Sequence, residues 1–127
     1  MTYLTPAELE YLATQRLGRI ATVGPAGDPH VVPVTFSVNE SDGTVDVAGH
    51  NLTNSKKWKD LSANDAVSIV VDDVQPPWQP RGIELRGRAE LVESGPVIRI
   101  HPTRVIAWGI DTDAYAPSAR TVAGGSR

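Results

Sequence analysis

Three lysines, Lys56, Lys57 and Lys59, fall within four positions and are the only lysines among the 12 basic residues of this 127-residue chain. They follow Asn51, Thr53, Asn54 and Ser55, so hydroxyls, amides and cations gather at the start of a segment that reads as a short helix through Ala63. Helix starts carry free N–H groups and the positive end of the helix dipole, and they bind anions such as phosphate. Thr53 and Ser55 hydroxyls can donate to phosphate oxygens, and lysine supplies a point charge. The plainer alternative is that Thr53 or Asn54 caps the helix and the lysines are solvated. That alternative carries a cost, because each cation in the first turns opposes the dipole by roughly 0.3–1 kcal/mol. A bound anion would offset it.

Two other places could contribute to a site. In the strand-like run Val32-Pro33-Val34, proline cannot donate to a ladder, so the strand is an edge or is bulged there. Such an edge is either ordinary or a platform on which a planar ring packs and bonds to free main-chain groups. Trp78 and Arg81 lie in and just after a proline-rich stretch. An indole could cover a ring and a guanidinium could pair with a carboxylate or phosphate, or Trp78 packs on its own barrel or across a dimer interface. The three histidines, His30, His50 and His101, share no ligand spacing, and no metal site is expected. No nucleophile triad appears, and no residue stands out as a catalytic acid or base. Trp108 reads as core. The row Glu84, Arg86, Arg88, Glu90 reads as a solvated face with cross-strand pairs, or as part of an interface.

These residues must be held by something, and the pattern around them is mostly β. The chain opens with a helix: Thr5 as N-cap, Pro6 at the first position, Glu8 completing a capping box, and Leu4 with Leu9 as a hydrophobic staple. Gly18 is the expected stop. Period-two segments follow at Arg19–Val23, His30–Val38 and Thr44–Ala48. After the lysine helix come the apolar run Ala66–Val71, expected to be central, and Gly82–Leu91, where Gly87 in mid-strand suggests a bulge. Val97–His101 and Thr103–Ile110, interrupted at Pro102, form a last strand or pair. Asp72–Pro80 has three prolines and is expected to be an irregular loop. Six or seven short strands with turn signals between them indicate an antiparallel barrel or sandwich. Residues 1–111 form one domain, and 112–127, poor in apolar residues, are expected to be a flexible tail.

Composition narrows the function. With 12 Lys+Arg against 15 Asp+Glu the formal charge is −3, which argues against general nucleic-acid binding. There is no cysteine, hence no disulfide and no thiolate site. No apolar run reaches the ~20 residues of a membrane span, and no secretory signal is evident. A cytoplasmic domain is expected.

In order and spacing these features resemble the pyridoxamine 5'-phosphate oxidase-like split β-barrel superfamily, and within it the deazaflavin branch that uses coenzyme F-420. The likeness is carried by Gly18–Val23 leading to Gly27–Val34, by Asp46–Asn51, by Ser55–Leu61 followed by Val67–Asp73, and by Arg81–Glu90 with Ile100–Gly109. It spans roughly residues 5–111. The resemblance implies a six-stranded antiparallel split β-barrel with about two short helices. It also implies a homodimer with cofactor at the interface. The phosphate would lie on Ser55 and Lys57, helped by Thr53, Asn54 and Lys56. The flavin or deazaflavin ring would lie along Val32, Pro33 and Val34. Trp78 and Arg81 match a variable loop. The implied activity is hydride transfer between reduced F-420 and an electron-poor small-molecule acceptor. FMN is the alternative cofactor, and a non-catalytic carrier of flavin, deazaflavin or haem is the alternative role. The short link Val92–Pro96 leaves no room for a helix that longer relatives carry there.

Overall fold

The computed structural model describes residues 3–122, which carry two helices, one 3-10 turn and seven strands. Helix α1 runs Pro6–Thr14 and starts on the expected capping box: the Thr5 hydroxyl accepts from Glu8 N at 3.1 Å while Glu8 Oε1 accepts from Thr5 N at 3.0 Å. It ends at Gln15 rather than Gly18. Gly18 instead lies in the first strand, where an added Cβ would sit 2.9 Å from the Ile69 side chain. Its missing side chain serves close packing rather than helix termination.

The strands are β1 (Leu17–Val23), β2 (Pro29–Asn39), β3 (Thr44–Val47), β4 (Ala66–Gln75), β5 (Gln79–Val92), β6 (Val97–Trp108) and β7 (Ser118–Thr121). Their order is β3-β2-β1-β4-β5-β6-β7, and β3 also pairs with β6. That extra pairing, Val45–Val47 against Ile98–Ile100, closes β1 to β6 into a six-stranded antiparallel barrel. Closure leaves few free edges. The interior holds Ile20, Val45, Val47, Ile69, Ile83, Leu85, Ile98, Ile100 and Val105, each 2% exposed or less. β4 lies between β1 and β5, as its continuous apolar run suggested.

The barrel wall bends where the register of β5 and β6 shifts between Arg86 and Gly87. A Cβ on Gly87 would lie 2.0 Å from the His101 carbonyl oxygen, so only glycine lets the two backbones approach. Pro102 does not split the last strand. It sits within β6 beside this bulge, paired with Gly87.

Two expectations for loops need correction. The proline-rich stretch is not an irregular loop: β4 continues to Gln75, the chain turns at 76–78, and Pro80 pairs with Val74. This hairpin outruns its neighbour, since β6 pairs with β5 only as far as Gly82. Pro80, which lacks an N–H, therefore sits where no second ladder exists. Within the segment expected to be a flexible tail, β7 pairs with β6. Arg120 there reaches Glu8 of α1 at 3.0 Å and donates to the Tyr3 carbonyl oxygen at 3.2 Å. Residues 123–127 of that expected tail lie outside the described residues. Trp108 is half-buried at the barrel end, over Gly82, rather than in the core.

Candidate cofactor site

Between β3 and β4 the chain makes the 3-10 turn Leu52–Asn54 and then helix α2, Lys56–Ala63. Asn51 begins the turn at φ 57°, a left-handed conformation that asparagine tolerates better than most residues. Its side-chain carbonyl accepts from Asn54 Nδ2 at 2.8 Å. Leu52, Trp58 and Leu61 are buried and fix the helix on the barrel.

The helix cap is Ser55, one or two residues later than the expected Thr53 or Asn54. Its hydroxyl accepts from Trp58 N at 3.3 Å and donates to the Leu52 carbonyl oxygen at 2.6 Å. The Ser55 hydroxyl proton is thus committed to the turn. Lys56 is also engaged, with Nζ 3.1 Å from Asp60 Oδ1 one helical turn on. Thr53 and Asn54 are exposed. Lys57 and Lys59 enter no ion pair among the described residues. The backbone N–H groups of Lys56 and Lys57, the first two of the helix, likewise have no acceptor among them. Two unengaged N–H groups and the Lys57 ammonium at one helix start form a donor set that fits a phosphate.

The neighbouring strand fits a planar ring in part. Residues Pro29–Thr35 of β2 pair with β1 on one side, whereas β3 joins only at Phe36–Asn39. The first half of β2 is therefore an open edge, with Val31, Val32 and Pro33 exposed. Val34 turns its side chain into the core, at 6% exposure, so it could meet a ring only through its main chain.

Trp78 and Arg81 are not brought to the lysines. Ala21 of β1 pairs with Ser68 of β4, and Arg81 pairs with Asp73, five residues farther along the same strand. That offset is about 17 Å at ~3.4 Å per residue. There Arg81 forms a bidentate pair with Asp73 at 2.8 and 3.1 Å, and its guanidinium lies 4.8 Å from the Tyr11 ring centre. The Asp73 carboxyl is held below its ordinary range, chiefly by the Arg81 hydrogen bonds. The exposed Trp78 donates from Nε1 to the Tyr115 hydroxyl at 2.6 Å. Arg81, Tyr11 and Glu10 line a groove of about 520 Å3 at this end. The charged row on β5 is paired as a solvated face would be: Glu84 with Arg86 and Ser68, Arg88 with Asp65, Glu90 with His101. No group of three or more acidic, histidine or cysteine side chains among the described residues could hold a metal ion.

Sequence reasoning missed one cluster beneath α2. The Asp60 carboxylate has no exposed side-chain surface. Its Oδ2 accepts from Thr22 Oγ1 at 2.8 Å and lies 2.8 Å from His30 Nδ1. An ionised carboxylate only accepts, so Nδ1 carries the hydrogen. Oδ1 takes no well-aligned hydrogen bond and faces only the Lys56 ammonium. Burial pushes the Asp60 carboxyl up, but the Thr22 hydroxyl, the Lys56 ammonium and His30 outweigh it and hold it below its ordinary range. The only local signal was the Lys56–Asp60 spacing. Thr22 and His30 are 38 and 30 residues distant in sequence.

Comparison with known proteins agrees with this architecture. A curated reductase of 5a,11a-dehydrotetracycline and 5a,11a-dehydrooxytetracycline from Streptomyces rimosus is 39% identical over 121 residues, covering 86% of this chain and 85% of that protein. Among solved structures, an FAD-binding protein from Mycobacterium smegmatis superposes with TM-score 0.62 at 26% identity, over 82% of this chain and 93% of that one. A conserved hypothetical protein from Mycobacterium tuberculosis superposes with TM-score 0.69 at 21% identity, over 85% and 86%. The sequence pattern of the pyridoxamine 5'-phosphate oxidase family matches residues 4–121, more than nine-tenths of the described chain, and the closed six-stranded barrel is of the same kind; the chain belongs to that family.

Proposed function

We propose that this chain is a reductase that binds the deazaflavin coenzyme F-420 and serves hydride transfer to an electron-poor, conjugated small-molecule acceptor. One observation carries the cofactor reading: the start of α2, with the unpaired Lys57 ammonium, belongs to a helix whose Asp60 lies 2.8 Å from His30 in the open half of β2. The oxidoreductase class is supported by the relative named as a dehydrotetracycline reductase, whose substrate name denotes an extra double bond to be reduced. FMN remains the second reading for the cofactor, favoured by the similarity to an FAD-binding protein.

When bound, the reduced coenzyme supplies the hydride. The protein's part is to bind and orient. Lys57 and the N–H groups of Lys56 and Lys57 hold the phosphate. The Lys56 ammonium balances Asp60 and leaves the charge of Lys57 to the phosphate, and Thr53 lies close enough in sequence to add a hydroxyl. Val31, Val32 and Pro33 offer an apolar edge for the ring, and free main-chain groups of β2 can orient it. A second copy packed on this edge would cover exposed Leu17 and Val31 and exclude water from the ring. We accordingly propose a cytoplasmic homodimer.

Titration of purified protein with F-420 and with FMN, followed by gel filtration and absorbance, tests this directly. Saturable retention of F-420 supports the reading, and retention of FMN alone shifts it to the flavin. Retention of neither refutes it. Lys57→Ala should weaken binding by about 1–3 kcal/mol through loss of a charge-assisted contact.

A further inference from the structure

A second cavity lies at the barrel end that carries Trp78, apart from the lysine helix. It sits between the tip of the β4–β5 hairpin and segment 109–117, which links β6 to β7, and has a volume of about 330 Å3. Gln75, Trp78, Gln79, Asp113 and Tyr115 are among its walls. Trp78 and Tyr115 are 65% and 72% exposed, large rings left uncovered. Both are nevertheless held. The Trp78 Nε1 hydrogen bond to the Tyr115 hydroxyl ties the hairpin to the linking segment. Asp113 fixes the turn there: its Oδ1 accepts from Tyr115 N at 2.9 Å and its carbonyl oxygen from Ala116 N at 3.0 Å. Gln75 and Gln79 face each other across the hairpin, and their side-chain amides have no partner among the described residues.

Asp113 is the only charged side chain on the cavity walls. Arg81, beside the wall residue Pro80, is spent on Asp73. An anion would therefore meet a carboxylate and no counter-charge. A cation would meet that carboxylate and two aromatic rings, whose faces are negative. We propose that this cavity binds an organic cation: an alkylated ammonium group whose methyl groups pack on Trp78 and Tyr115 while Asp113 balances its charge. Alkylation matters because a bare ammonium is strongly hydrated, whereas N-methyl groups present apolar surface that the rings can cover. The Gln75 and Gln79 carbonyl oxygens can turn to the same group without adding charge. F-420 and FMN both carry a phosphate, so this cavity differs from the lysine seat in the sign of its ligand as well as in place. Neither cofactor enters its test.

Choline is the probe. Its control is 3,3-dimethylbutan-1-ol, which has the same shape with carbon in place of the charged nitrogen. Titration of the full chain at constant ionic strength is read by NMR, from the Trp78 indole N–H and the Tyr115 amide N–H. Choline should saturate both shifts with a Kd on the order of 10 mM, as suits so small a ligand. The alcohol should bind at least about fivefold more weakly, because it lacks the charge. Trp78→Ala, read at Tyr115, should weaken choline binding about two- to fivefold, the loss of one exposed cation–π contact. Asp113→Asn should weaken it at least about twofold, while its amide oxygen keeps the hydrogen bond from Tyr115 N and so the turn. Should Trp78→Ala alter the fold, the alcohol and Asp113→Asn comparisons decide. Equal binding of the alcohol overturns the proposal, as does choline affinity unchanged in either folded variant. So does the absence of saturable shifts up to about 100 mM choline, tenfold above the expected Kd. Shifts at Trp78 that follow protein dilution and not choline also overturn it, and assign the ring pair to an interface between copies.

Discussion

Thr22→Val isolates the hydrogen bond that anchors α2 to the barrel. The exchange keeps the shape of the side chain while removing the hydroxyl. Thr22 is 2% exposed, and its Oγ1 donates to Asp60 Oδ2 at 2.8 Å, so water cannot replace the lost donor. A hydrogen bond to a charged group is worth roughly 1.5–3 kcal/mol, and the shared carboxylate keeps His30 and Lys56, so the expected loss is about 2 kcal/mol. For a domain of this size that is a drop in Tm of roughly 6–10 °C. The loss must also depend on pH with a definite sign. The Asp60 carboxyl is held below its ordinary range in the fold, against burial and by Thr22 among other donors. A depressed carboxyl contributes stability above its unfolded pKa, about 3.9, and loses it as pH falls through the folded value. The gap between wild type and Thr22→Val should therefore be full at pH 7 and narrow below about pH 4. Urea unfolding across pH 3–7 reads both quantities. A gap under about 0.5 kcal/mol at pH 7, the ordinary range of an inert surface change, would refute the reasoning. So would a gap that does not close in acid.

Three further outcomes are expected. Gly87→Ala places a methyl group 2.0 Å from the His101 carbonyl oxygen; such overpacking against backbone should cost about 3 kcal/mol or abolish soluble expression, and a variant with wild-type urea midpoint would contradict the bulge. Arg120→Ala strands Glu8, which is 4% exposed in its side chain, so thermal melts should show a loss of about 1–3 kcal/mol, whereas Glu8→Gln with Arg120→Ala should recover part of it. Trp78→Ala removes an exposed ring hydrogen-bonded to exposed Tyr115; stability in urea should change by less than about 0.5 kcal/mol and cofactor affinity should be unchanged, a loss of affinity placing Trp78 against the cofactor.

What could be read in the sequence was local or periodic. The capping box at Thr5 and Glu8 is a four-residue signal and folds as one. Alternation along β5 identified its inward side chains, and Gly87 marked the bulge because nothing else in the strand explained a glycine. The β4–β5 hairpin was misread because proline counts were weighed without knowing that β6 ends at its partner Gly82. At the lysine helix the anion-seat chemistry was legible, but three adjacent polar residues could each cap a helix. Only the packing of Leu52 and Trp58 selects Ser55. Val34 was placed along the ring by the family resemblance, and alternation, which put it on one face with Val32, cannot say which side chains turn inward. Asp60 with His30 and Thr22 stayed hidden, because the contact exists only once α2 lies across β1 and β2. β7 was hidden for the same reason: Ser-Ala-Arg-Thr has no strand periodicity, and its partner for Arg120 is 112 residues upstream.

That last distance bears on how the protein is made. At a synthesis rate of about 5–20 residues per second, roughly 6–22 s separate the addition of Glu8 from that of Arg120. Throughout that interval α1 can form on its own cap, but its carboxylate has no guanidinium to receive it, and for most of it β6, Val97–Trp108, has yet to be added, so its closing partnership with β3 cannot form. Chain growth and native structure are thus out of step until late. A ribosome that stalls before Val97 would carry an open, half-paired sheet, the kind of surface that chaperones bind and proteases cut.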